Sequence, residues 1–149
     1  MSMQTKLFGC LGAAVVVFGA FASTAGARNT DENEFRCRAR ASGGVKLAAR
    51  FEERIRPRGS RIKFNAEFEA RPGGAFTAGQ QIVFSVDSVQ VGTAALVAAP
   101  TGELSAELEL DSRAHRGHTP LPANFPDVSE GSTVTAASGG QQLLGCDLN

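Results

Sequence analysis

Residues Val45–Arg71 read VKLAARFEERIRPRGSRIKFNAEFEAR, and their alternation fixes the kind of fold this chain can adopt. Ile62, Phe64, Ala66 and Phe68 fall on one side of a period-two repeat, and Arg61, Lys63, Asn65, Glu67 and Glu69 fall on the other. Successive side chains of a strand point to opposite faces, so this pattern describes a strand with one apolar and one charged face. The preceding run repeats it, with Val45, Leu47, Ala49 and Phe51 alternating against Lys46, Arg50 and Glu52. Between the two lies RPRGS, whose Pro and Gly mark a hairpin connection. With Arg56–Gly59 as the loop, Phe51 faces Phe64, Ala49 faces Ala66 and Leu47 faces Phe68, while Glu52 meets Lys63 and Lys46 meets Glu69. One register thus satisfies both faces.

Working outward, Phe35, Cys37 and Ala39 alternate with Arg36, Arg38 and Arg40, which adds a third strand of the same kind. Further on, QIVFSVDSVQVGTAALVAAPTGELSAELEL (Gln81–Leu110) changes parity at Asp87-Ser88. A two-residue loop there pairs Val86 with Val89 and Phe84 with Val91. A second turn at Pro100-Thr101-Gly102 sets Val97 opposite Leu104 and Ala95 opposite Ala106, so residues 81–111 are expected to form a three-stranded meander. STVTAAS and QQLLGCDL supply a last hairpin, with Leu144, Cys146 and Leu148 inward. The expectation is an all-β fold: one antiparallel β-sandwich or barrel-like domain of about eight short strands. Of the remaining aromatics, Phe125 has no strand face in its loop PLPANFP and is expected to plug one end of the domain.

The first 27 residues carry a single charge, Lys6, then the apolar run Leu7–Ala22 and the small-residue ending Ala25-Gly26-Ala27. That layout is expected of a secretory signal peptide, the alternative being a retained membrane anchor. Residues 28–34 then form a short polar segment and residues 35–149 the domain. Cleavage would leave two of the three cysteines, Cys37 and Cys146, which in an oxidising compartment are expected to pair as a disulfide closing a loop of about a hundred residues. The implied location is secreted or periplasmic, with no membrane association after cleavage.

Charge is divided unevenly. From Arg28 to Gly73 there are twelve Arg or Lys against seven Asp or Glu; from Gly74 to Asn149 there are two against eight. A basic half points to a polyanion partner, with Arg36, Arg38 and Arg40 aligned on one strand face as the candidate contact. The same arginines could instead pair with Glu107, Glu109 and Asp111 of the acidic half.

Those three carboxylates belong to AELELDSRAHRGH (Ala106–His118), which resembles a site because His115 and His118 follow them. Same-face neighbours along a strand stand about 7 Å apart, too far for two to share one ion at bond lengths of about 2.0–2.6 Å. A solvated strand face is the simpler expectation, and the competing one is a small metal-assisted hydrolase with Asp111, His115 and His118 as ligands. The sequence holds no G-x-S-x-G elbow and no phosphate-loop or dinucleotide fingerprint, and none of its residues implies a cofactor. It has no Trp or Tyr, which argues against a base-stacking surface and hence against nucleic acid as partner.

The runs VFSVDSVQVGTAAL, GELSAELELDS and GSTVTAASGGQQLLGCDL resemble segments of uncharacterised secreted bacterial β-rich proteins, in which V-G-T and G-x-L-x-L-D strands recur. Asp87-Ser88 stands where that pattern has Asp-Gly. The resemblance covers about residues 61–148 and implies fold and location, with no activity attached. The function expected is therefore non-enzymatic: a secreted or periplasmic module with a structural or interaction role, whose partner is an anionic envelope polymer or another envelope protein.

Overall fold

The computed structural model describes residues 31–73, 75–114 and 118–149; the expected signal peptide and His115 lie outside them. The described residues form ten strands: β1 (Asp31–Ala41), β2 (Val45–Ile55), β3 (Arg61–Ala70), β4 (Gln81–Val86), β5 (Val89–Ala95), β6 (Val97–Ala98), β7 (Leu104–Asp111), β8 (Thr119–Pro120), β9 (Thr133–Ser138) and β10 (Gln141–Asp147). They make two sheets packed face to face. The first has the order β1-β2-β3-β7-β6, with the short β8 running parallel to β7; the second has the order β10-β9-β4-β5. The architecture is a β-sandwich and not a closed barrel. Among the described residues no helix is long and apolar enough to cross a membrane.

The first hairpin has the register its two faces require. Phe51 stands opposite Phe64, Ala49 opposite Ala66 and Leu47 opposite Phe68, with Glu52 opposite Lys63 and Lys46 opposite Glu69. The inward rows of both sheets form one core, in which Phe64, Phe68, Phe84, Leu47 and Ile82 are essentially unexposed. Fully burying each such side chain is worth about 1.5–3 kcal/mol, so these rows dominate the stability of the sandwich. Phe125 packs against the core, its ring 5.6 Å from that of Phe64 in an edge-on arrangement.

Three expectations are corrected. Residues 31–34, expected in the short polar segment before the domain, are part of strand β1. The reason is on their outward face, where Glu32 and Glu34 meet Arg54 and Arg50 of β2. Residues 81–111 are not one meander. β5 lies on the edge of the second sheet and β6 and β7 belong to the first; the chain crosses at Leu96, whose N–H and C=O bond Gln80 and Gly79. Val97 accordingly pairs with Ser105 and Ala98 with Leu104, one residue from the expected register. Finally, Val86 does face Val89, but Phe84 pairs with Gly92 and not Val91. A bulge there turns both Val91 and Gly92 inward, and an added Cβ on Gly92 would lie 2.6 Å from Leu108 Cδ2 of the facing sheet.

Each open side of the sandwich is joined. On one, the Leu96 crossover links β5 to β6. On the other, the Cys37–Cys146 disulfide, with Cα atoms 5.7 Å apart, links β1 to β10. These strands are edges of different sheets, and a backbone pair between Arg36 and Asn149 at 3.0 and 3.1 Å reinforces the link.

Candidate functional site

The outward face of the first sheet collects most of the charge. Strand pairing arranges it in rows: Arg36, Arg50, Asn65 and Glu109 form one; Arg38, Ala48, Glu67 and Glu107 the next; Arg40, Lys46, Glu69 and Ser105 a third. These three rows run from cationic on β1 to neutral or anionic on β7, while the next, Glu34, Glu52, Lys63 and Asp111, carries a carboxylate at both ends. The uneven charge of the sequence has become a lateral gradient across one surface. β1 and β7 are separated by β2 and β3, so Arg36, Arg38 and Arg40 do not pair with Glu107, Glu109 and Asp111 within the molecule.

The pairs that form are mostly between nearest strands or along one strand. Glu34 receives Arg36 and Arg50; Glu52, almost buried, lies between Arg50 at 3.2 Å and Arg54 at 2.6 Å; Lys46 reaches Glu69 at 2.6 Å. Hydrogen bonds from Arg50 and then Arg36 hold the Glu34 carboxyl below its usual range, and Glu69 raises Lys46. Water screens the exposed pairs and leaves them little net stability, so stability alone does not account for the charge of this face. Arg38 and Arg40 make no ion pair with any described residue and are exposed. They border a groove of about 250 Å³ whose wall also includes Lys46, Glu67 and Glu69.

The acidic end differs from its sequence reading in one residue. Glu107 and Glu109 are solvent-facing, as a strand's wet face requires. Asp111 is buried, only 3% exposed. Arg61 donates to both its oxygens, Nε to Oδ1 at 3.1 Å and Nη2 to Oδ2 at 2.5 Å, and the Arg113 N–H also donates to Oδ1 at 2.9 Å. The Arg61 bonds hold its carboxyl down from 3.8 to about 2. His118 is exposed and lines a second groove of about 310 Å³ that Asp111 also borders, together with Lys63 and Glu109. Among the described residues, no three of His, Cys, Asp and Glu are grouped to hold a metal ion. Asp111 is thus committed to a guanidinium, and His118 is one nitrogen at a groove wall.

Reading the residues alone missed Arg61 as the partner of Asp111 and the Glu52 cluster. The Glu52–Lys63 and Lys46–Glu69 alignments were readable from the hairpin. No protein-family model, curated protein or solved structure matches the chain.

Proposed function

We propose that the protein is a non-enzymatic module of the secreted or periplasmic space that holds an anionic envelope polymer on the arginine row of β1. The observation that carries this reading is the pair Arg38 and Arg40, exposed, in line, and without an ion-pair partner among the described residues. Alternate residues of a strand are about 6.6 Å apart, so the row offers regularly spaced cations along an edge of the sheet. Lys46 stands beside Arg40 on β2, its charge met by Glu69, so Arg38 and Arg40 are the cations of this row left for a ligand. The disulfide supports an oxidising location. The hydrolase alternative gains no support from the geometry, because both Asp111 oxygens already accept from Arg61 and no third ligand joins Asp111 and His118 among the described residues.

The test is binding to immobilised heparin and to inorganic polyphosphate, with neutral dextran as control, over a salt series. Retention beyond about 0.15 M salt, with a slope that falls in Arg38→Ser/Arg40→Ser, is expected, because multi-charge contact releases counterions. Retention only below that salt, or a double variant that binds like the parent, overturns the reading.

A further inference from the structure

The acidic strands are left without a role by a polymer on β1, and their placement suggests one. We propose that the outward face of the first sheet binds a second copy of the same chain, through a two-fold axis that runs along the strands between β2 and β3. This goes beyond the polymer reading and does not rest on it.

The geometry selects the axis. A rotation about a line parallel to the strands exchanges left and right but leaves each row at its own height. Arg36 then lies over Glu109 of the second copy and Arg38 over Glu107, and the symmetry repeats both contacts. A rotation about a line across the strands at the height of Arg38 would instead stack β1 on β1 and arginine on arginine. The first arrangement is complementary in the rows of Arg36 and Arg38; in the next row Glu34 lies over Asp111, whose charge Arg61 already meets. Arg38 and Glu109 have no ion-pair partner among the described residues of their own copy, and Arg36, Arg38, Glu107 and Glu109 are all exposed. On β2 and β3, nearest the axis, Arg50 lies over Asn65, Ala48 over Glu67 and Lys46 over Glu69 of the second copy, so these three rows place no like charges directly over one another. The polymer and the second copy compete for the same arginines, which makes the acidic strands an internal brake on polymer binding.

Opposed charges on exposed side chains give a contact that salt weakens, since the Debye length shortens from about 30 Å at 0.01 M to about 8 Å at 0.15 M. Sedimentation equilibrium of the disulfide-intact protein should therefore show a dimer at about 0.01 M salt whose association falls at least about tenfold at 0.15 M. Arg36→Glu/Arg38→Glu makes each of the first two rows net anionic although Arg50 remains, and Glu107→Arg/Glu109→Arg makes each net cationic although Glu67 remains. Each variant alone should be monomeric, and an equimolar mixture should form a heterodimer at least as tight as the parent. The acidic-strand variant should keep or strengthen heparin retention, which separates this interface from polymer binding. A parent that stays monomeric at low salt, a salt-insensitive dimer, or a mixture that fails to associate although both variants unfold at the parent's temperature overturns the proposal. Should a double variant not fold, Arg38→Glu and Glu107→Arg, single changes at exposed positions, are mixed in its place with the same two outcomes.

Discussion

Replacing Asp111 by Asn removes a charge while keeping shape, and its cost can be worked from the structure. The carboxyl is held down from 3.8 to about 2, chiefly by Arg61. At 1.36 kcal/mol per tenfold, that lowering corresponds to about 2.4 kcal/mol of stability with the carboxylate ionised. The Arg61 side chain is 36% exposed, so water screens part of it and the expected loss is about 1–2 kcal/mol. The sign with pH follows from the direction. A depressed carboxyl stabilises fully above about pH 5, where it is ionised in folded and unfolded chains alike, and the contribution fades as pH falls to about 2 and below. Near pH 2.5 about a third of it should remain. With no Trp or Tyr in the chain, urea unfolding is best followed by far-ultraviolet circular dichroism at pH 7 and pH 2.5. Glu109→Gln, on the same strand but solvent-facing, should change stability by less than about 0.5 kcal/mol. An Asp111→Asn protein as stable as its parent at pH 7, or a gap of unchanged size at pH 2.5, would refute the reasoning.

Two further substitutions test the fold. Gly92→Ala should cost about 1–3 kcal/mol, because its Cβ meets Leu108 at 2.6 and 2.7 Å; combined with Leu108→Ala it should cost less than the two single changes added, as urea midpoints will show. Ser88→Gly should raise stability by about 0.5–1 kcal/mol in the same assay, since Ser88 sits at φ 68 in a two-residue turn that favours glycine; a loss of stability would mean that its side chain, and not its backbone, sets the turn.

The β2–β3 register could be read from the chain because two independent patterns, apolar inside and charged outside, agree on one alignment over nine residue pairs. The β4–β5 turn was equally readable at Asp87-Ser88, but the bulge beyond it was not. It answers to Leu108, on a strand of the opposite sheet, and no local pattern carries that contact. The same limit explains the false meander: period-two alternation is identical whether a chain turns back within its sheet or crosses to the facing one. At the site, alternation correctly put Glu107 and Glu109 in water. It failed at Asp111 because the partner, Arg61, is fifty residues away and arrives only through the β3–β7 pairing.

The clasp between β1 and β10 also bears on the order in which the molecule is completed. Cys146 follows Cys37 by 109 residues, so at a synthesis rate of about 5–20 residues per second the first strand waits roughly 5–20 s for its covalent partner. During that interval β1 can pair with β2, yet its outer edge faces water with no strand to cover it. An uncovered edge is a template for wrong association, and charged side chains are a common safeguard against it. The alternating Glu32, Glu34, Arg36, Arg38 and Arg40 of β1 thus also guard an edge that only the disulfide and the Arg36–Asn149 pair join to the second sheet once the chain is complete.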